Sequence, residues 1–319
     1  MSGRLPNLLI AGVPKAGTSS LFSYLGQHPD VCTATTKEVR YFAPLMEQGG
    51  TLPPPATFAR YFAHCGEQRY ALEATPSYCY GGERVLRAID ETLPDPRIII
   101  ILRDPVDRLV SAYRFQQGRE NLDGIRSFPE YVAACEHVYR RTNGVAPGQG
   151  HLKGLSIGFY GDYVPQWLDT FADRVRIVFF EDLTSNPLGP VGDLCRWLTI
   201  DDRAAGSFDY AIRNKTVTPR SATFARMVFG AKRKLDAVVP RGSVVRRSLR
   251  AGYRNVNSRR DASERIDPAA RRDVAELYRD SNRIVADALR ARGHGALPDW
   301  LSTGREAPGP SHGSAMPAT

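Results

Sequence analysis

The sequence predicts an α/β fold: a doubly wound parallel sheet flanked by helices. Short unbroken apolar runs such as Ile98–Leu102 alternate with segments of helical period, and such runs suit strands buried on both faces of a parallel sheet. The stretch Asn7–Val13 runs straight into a Gly-bearing turn and a helical segment. A second strand, Arg97–Leu102, ends in Arg103-Asp104-Pro105, with an N-cap residue and a first-turn proline ready to start a helix.

The pattern places a strand near Leu8–Val13, a helix over Thr18–His28, a strand near Tyr70–Ala74 and a helix over Glu83–Leu93. The strand Arg97–Leu102 and the helix Pro105–Gln117 follow. Helices over Phe128–Arg141 and Phe159–Phe171, a strand over Val175–Phe180, a helix over Pro187–Leu198 and a long helix over Pro268–Arg292 complete the order. Ligands of such sheets bind beyond the carboxyl ends of the strands, where both Lys15 and Arg103 fall.

A chain of 319 residues with 42% hydrophobic content buries a full core, and one domain over residues 1–302 is expected. The Pro/Gly/Ser-rich tail, 303–319, lacks apolar periodicity and is expected to be disordered. No apolar stretch reaches the roughly 18 residues of a membrane span. The first strand begins at Asn7, leaving no room for a secretion signal, so the expected location is cytoplasmic. Cys32, Cys65, Cys79, Cys135 and Cys195 are odd in number and contain no Cys-x-x-Cys pair. They are expected to be buried thiols, with no disulfide framework and no metal site.

Charge is concentrated late in the chain. Arg213–Arg272 carries 17 Lys/Arg against 4 Asp/Glu, while the whole chain is only +9. A basic block of this density suggests an anionic partner: a nucleotide phosphate, an acidic glycan, nucleic acid or a lipid headgroup. Within it, Phe224–Leu235 has apolar residues at helical spacing beside a cationic flank, which suits a core-facing helix or, as a second reading, peripheral membrane contact through 213–260.

The turn Pro14-Lys15-Ala16-Gly17-Thr18-Ser19-Ser20 is a P-loop-type phosphate cradle: a Gly turn aims backbone N–H groups at one point, and the helix dipole adds to their pull. In a nucleoside triphosphate loop the lysine directly follows the last glycine. Here Thr18 follows Gly17, and Lys15 enters from two residues before it. Arg103, at a strand end, offers a forked donor suited to phosphate. Ser111, about two helical turns beyond the cap, returns to a similar side.

The loop resembles the 5′-phosphosulfate loop of sulfotransferases that use 3′-phosphoadenosine 5′-phosphosulfate (PAPS), and Arg103 with Ser111 resembles that family's 3′-phosphate element. The resemblance extends through Phe159-Tyr160, Trp167-Leu168, Arg176–Leu183 and Asn186-Pro187 to Leu297–Leu301, and is closest to the heparan-sulfate and carbohydrate type. It implies PAPS as donor, adenosine 3′,5′-bisphosphate (PAP) as product and no metal. Donor contacts would come from Lys15, Ala16, Gly17, Thr18, Ser19, Ser20, Arg103 and Ser111, with Arg250 or Arg254 in a late capping loop and 213–265 as a basic lid. Lys15 would stabilise the leaving phosphate.

The resemblance implies Glu38, in Lys37-Glu-Val-Arg-Tyr-Phe42, as the base for the acceptor's proton. Pairing of Glu38 with Lys37 or Arg40 on a surface turn is the alternative, and His28 and His137 are the fallback bases. Arg40, Thr75, Ser77 and Tyr78 would line the acceptor cleft, with a buried strand-end turn as the alternative for the last three. Ala74 replaces a lysine of the family segment, which argues against a highly sulfated polysaccharide. Glu181-Asp182 reads as a helix-start acid pair rather than a magnesium site. The expected partner is a small-molecule, glycan or glycolipid acceptor and not nucleic acid; the amine or hydroxyl nature of the acceptor atom and the oligomeric state are open. Two rivals remain: a P-loop kinase using Mg-ATP, and a non-catalytic binder of anionic polymers or membranes.

Overall fold

The computed structural model describes residues 4–119, 121–142, 150–211 and 266–302. Its sheet is built from β1 (Leu8–Gly12), β2 (Val31–Thr33), β3 (Tyr70–Ala74), β4 (Arg97–Leu102) and β5 (Val175–Phe179). The order is β2-β3-β1-β4-β5, and every neighbouring pair is parallel. Both faces are covered: every residue of β1 and β3 is buried, and β4 is buried from Ile98 onward. That explains the apolar runs of β1 and β4. The chain leaves β1 toward one edge and β4 toward the other, so the strand order reverses between these two central strands, the place where such sheets bind ligands.

The helices are α1 (Thr18–Leu25), α2 (Pro55–Ala59), α3 (Gly82–Thr92), α4 (Pro105–Gln117), α5 (Phe128–Thr142), α6 (Val164–Phe171), α7 (Phe180–Ser185), α8 (Leu188–Trp197), α9 (Pro268–Arg290) and α10 (Asp299–Ser302). Helix α4 starts as its sequence requires, with Asp104 accepting from the N–H groups of Val106 at 2.7 Å and Asp107 at 3.2 Å. Helix α9 buries Val274, Tyr278, Ser281, Val285 and Leu289, one stripe at three- and four-residue spacing. None of the described helices is long and apolar enough to cross a membrane.

Two expectations change. The helix expected over Phe159–Phe171 begins only at Val164. Pro165 has no N–H to give to a longer helix, and Gly161 donates its N–H to Ser281 Oγ at 2.8 Å. The cysteines are not all free thiols: Cys32 and Cys65 form a disulfide with Cα atoms 5.8 Å apart, while Cys79, Cys135 and Cys195 are buried and free. The pairing was hidden because its partners lie 33 residues apart, one at the short edge strand β2 and the other where a long excursion returns. The basic lid expected over 213–265, the helix expected over Phe224–Leu235 and the tail 303–319 lie outside the described residues.

Strand β1 ends in an irregularity. Its register with β4 shifts between Ile10 and Gly12, and Val13 then resumes the ladder, donating to the Ile101 carbonyl at 3.0 Å. At Gly12 the turn after β3 presses close: an added Cβ would lie 2.5 Å from Cys79 Cβ. Gly12→Ala should therefore lower stability by about 1–3 kcal/mol through overpacking. The urea midpoint reads this, against a control, Gly206→Ala, whose methyl meets nothing within 4 Å.

Candidate functional site

The loop joining β1 to α1 turns through two left-handed residues, Lys15 at φ 71° and Gly17 at φ 81°. Gly17 suits such a backbone, and a Cβ there would meet the Phe180 ring at 3.1 Å. Gly17 also caps α1 with no side-chain bond, so the helix turns the positive end of its dipole toward the loop. Ala16 is fully buried, and Thr18 and Ser20 are each 6% exposed. Of the donor residues expected in this helix turn, only Ser19 keeps a half-buried hydroxyl; the others can offer chiefly their backbone.

Arg103 reaches this loop directly. Its Nη1 donates to the carbonyl of Lys15 at 3.0 Å, joining the ends of β1 and β4. Its guanidinium lies over the Phe180 ring, 4.3 Å from the centroid, and its Nε is buried without a hydrogen-bond partner. The Arg103 backbone is also held. Tyr160 Oη donates to its carbonyl at 2.8 Å, and the next N–H, that of Asp104, donates to Glu181 Oε1 at 2.9 Å. Glu181 and Asp182 occupy the first turn of α7 as expected.

Lys15 Nζ lies 4.1 Å from the centroid of the Phe115 ring, and Arg119 stacks on the same ring at 4.6 Å. Burial pushes the Lys15 ammonium down to about 8, and the nearby positive charges of Arg103 and Arg119 push in the same direction. Three cations thus converge in a partly desolvated place, which is what an anion site requires. Ser111 is half-buried on α4. Arg108, between Arg103 and Ser111 in sequence, is 1% exposed and donates to the Gly154 carbonyl, a structural role. Arg250 and Arg254 lie outside the described residues.

The loop around Glu38 lies over the carboxyl end of β3. Glu38 and Arg40 are exposed, and Lys37 Nζ stands 3.8 Å from Glu38 Oε1, so part of the surface-pair alternative is present. The loop is fastened to the end of β3, beside β1. Val39 N–H donates to Glu73 Oε1 at 3.2 Å, Arg40 N–H to Thr75 Oγ1 at 3.1 Å, and Phe42 N–H to Tyr78 Oη at 3.4 Å. Thr75 in turn donates to Glu73 Oε1 at 2.5 Å.

Thr75 and Tyr78, expected either to touch the acceptor or to belong to a buried strand-end turn, are both fully buried, and their hydroxyls hold the backbone of the Glu38 loop from beneath. Ser77 is half-buried, its Oγ inaccessible and without a partner. The fallback bases separate as well. His28 is 2% exposed; its Nδ1 accepts from Asp30 N–H at 3.0 Å and its Nε2 donates to the Asp201 carbonyl at 2.9 Å. Neither nitrogen is available. His137 is exposed on α5, its Nε2 3.4 Å from Arg141 Nη1.

Sequence reasoning missed Phe115, Arg119, Phe180 and Glu73. Phe115 and Arg119 continue the four-residue spacing from Ser111 along one helix side. Glu73 is a carboxyl in an otherwise apolar buried strand, itself a signal.

Glu73 is fully buried, and burial raises its carboxyl to about 7 against the bonds from Thr75 and Val39 and the charge of Lys37. The folded state therefore holds a proton that the unfolded chain releases near 4.5. This contribution to stability is full below that value and is lost as pH rises through about 7, at most about 3 kcal/mol by linkage. Between pH 5 and 8 the Tm of the wild type should fall by several degrees more than that of Glu73→Gln; parallel curves would contradict a buried, proton-holding Glu73.

The sulfotransferase domain family matches residues 5–214. The human heparan sulfate glucosamine 3-O-sulfotransferase 6 is 32% identical over 190 residues, 59% of this chain and 51% of that protein. The bifunctional heparan sulfate N-deacetylase/N-sulfotransferase 1 of Xenopus laevis is 23% identical over 315 residues, 93% of this chain and 31% of that protein. The chain thus spans about half or less of the length of these curated relatives. A crystal structure of a sulfotransferase from Alicyclobacillus acidocaldarius shares the fold, with a TM-score of 0.64 and 24% identity over 92% of this chain and 98% of that one. With the family match extending over more than half of its residues, the chain belongs to the sulfotransferase domain family.

Proposed function

We propose that the protein moves the sulfuryl group of PAPS to a hydroxyl of a carbohydrate or related acceptor. The observation that carries this reading is the bond from Arg103 to the Lys15 carbonyl, which couples a loop suited to a 5′-phosphosulfate to a guanidinium suited to a 3′-phosphate. Lys15, the backbone of Ala16–Thr18 and Ser19 hold one end of the donor; Arg103 and Ser111 hold the other. The buried, unpartnered Nε of Arg103 and the depressed ammonium of Lys15 fit a dianionic nucleotide.

Glu38, at the rim of the same carboxyl-end surface, takes the proton of the acceptor hydroxyl, and Lys15 neutralises the charge that gathers on the departing phosphate. Lys37 stands beside Glu38 and steadies the carboxylate before the proton arrives. The heparan-sulfate sulfotransferase relatives support a glycan acceptor. The small buried Ala74 in the strand beneath the acceptor loop favours one with fewer sulfates than mature heparan sulfate carries. The kinase alternative places its lysine directly after the loop's last glycine, where this chain has the buried Thr18.

PAP should raise the Tm in EDTA, Mg-ATP should do so little, and Arg103→Ala should lose most of the effect. Because Lys15 titrates near 8 in the free protein and a bound anion raises it, PAP binding should take up protons between about pH 8 and 9. Calorimetry in two buffers of different ionisation enthalpy reads this uptake, which Lys15→Ala should abolish. A Tm response to Mg-ATP larger than that to PAP would favour the kinase reading.

Glu38→Gln should retain PAP binding while transfer to a glycan acceptor falls roughly 10²-fold or more, the scale of a lost general base. Undiminished turnover in that variant would move the base elsewhere.

A further inference from the structure

The excursion that carries Glu38 leaves the sheet after β2 and returns at Cys65, and the Cys32–Cys65 bond closes its neck. Between these points the chain is a packed flap. Tyr41 and Phe58 stack at 4.5 Å, Phe42 meets both Phe58 and Tyr78 edge-on, and Thr35 N–H donates to the Tyr61 carbonyl at 3.1 Å. The aromatic packing and the bonds to Glu73, Thr75 and Tyr78 hold the flap's base. The sulfur pair holds its two ends together.

The surroundings of the pair are asymmetric. Cys32 is 7% exposed, whereas Cys65 is half-buried and His64 exposed. His64 Nε2 lies 3.4 Å from Cys32 Sγ, and all three donor atoms lie within 4.8 Å of one another. A disulfide that only cross-links has no need of an imidazole at its buried sulfur. A thiol that must act as a nucleophile does, because an adjacent imidazole can receive its proton.

We propose that Cys32, His64 and Cys65 form a thiol–disulfide exchange site whose reaction partner is a low-molecular-weight disulfide, and whose state sets the order of the flap bearing Glu38. In the dithiol form the accessible Cys65 thiolate attacks one sulfur of the small disulfide, forming a mixed disulfide and expelling one thiolate. Cys32 then gives its proton to His64 and attacks the Cys65 sulfur, forming the intramolecular bond and expelling the second thiolate. The protein loses two electrons and the small disulfide gains them, becoming two thiols. The reverse sequence, driven by excess thiol, opens the neck. Its effect on transfer rests on the role of Glu38 proposed above; the exchange itself does not.

The test uses the full chain with oxidised and reduced glutathione as the probe, following the mixed disulfide by intact mass. Wild type should equilibrate between the two forms in the folded state, and His64→Ala should slow closure of the mixed disulfide by about tenfold or more while leaving its formation on Cys65 unchanged. Hydrogen exchange of residues 34–62 should quicken at least tenfold in the dithiol form, with the exchange of β1 and β4 unchanged. Transfer should fall several-fold with PAP affinity constant. A bond that exchanges only on unfolding, equal closure rates with and without His64, identical exchange of the flap in both forms, or a dithiol form that instead retains one zinc ion would each overturn the proposal. If transfer is absent from both forms while the exchange behaviour is as stated, the reading of Glu38 fails and the exchange site stands.

Discussion

One hydrogen bond across the middle of the sheet organises the site. Arg103 leaves β4, crosses to β1 and donates to the carbonyl of Lys15, so two loops separated by 88 residues become one structure. The bond can form only because its backbone is fixed elsewhere: Tyr160 takes the Arg103 carbonyl, Glu181 takes the Asp104 N–H, and Asp104 caps α4. The sheet supplies the lateral position. Pairing of Ile10 with Ile99, then of Gly12 with Ile100, brings both strands to the same carboxyl edge after one irregularity. A cradle assembled before its ligand arrives spends little of the binding energy on ordering itself.

The cations at this edge rest on aromatic faces. Lys15 and Arg119 share the face of Phe115, and Arg103 lies on Phe180. Aromatic faces attract cations through their quadrupoles, and the carboxylates of Asp107 and Glu181 lie close enough to favour the charged form of Arg103 against its burial. The cost of this arrangement is visible at Lys15, whose ammonium is weakened by burial and by its like-charged neighbours. Bound phosphate would relieve both penalties at once.

Much of this architecture was legible in the residues. The apolar runs at Leu8–Val13 and Ile98–Leu102 named β1 and β4, and the mostly apolar segments around Glu73 and Arg176 named β3 and β5. Asp104 and Pro105 predicted the start of α4 because capping is local chemistry. What escaped were relations between distant segments. Strand β2 has three residues, too few for a period to show. The Cys32–Cys65 bond depends on where the flap returns, which no spacing encodes. Thr75 and Tyr78 carry hydroxyls at a strand end, and only their complete burial shows that those hydroxyls serve the neighbouring loop. Phe115 and Phe180 read as core residues until the cations above them are placed.

The two glutamates near Lys37 illustrate how environment can divide like groups between tasks. Glu73 is sealed beneath the flap, where burial favours its neutral form and its Oε1 accepts from both the Val39 N–H and the Thr75 hydroxyl. Glu38, on the next turn of chain, is exposed. Lys37 lies close enough to feel both carboxyls, which offset the burial that weakens its ammonium. If both acids were buried, one cation could not hold two charges, and the flap would be strained apart by their repulsion. Burial that pushes Glu73 toward its neutral form lessens that repulsion, and Glu38 stays exposed beside Lys37. In the role proposed for Glu38 as base, the burial that favours the neutral form of Glu73 keeps a second carboxylate from competing for Lys37.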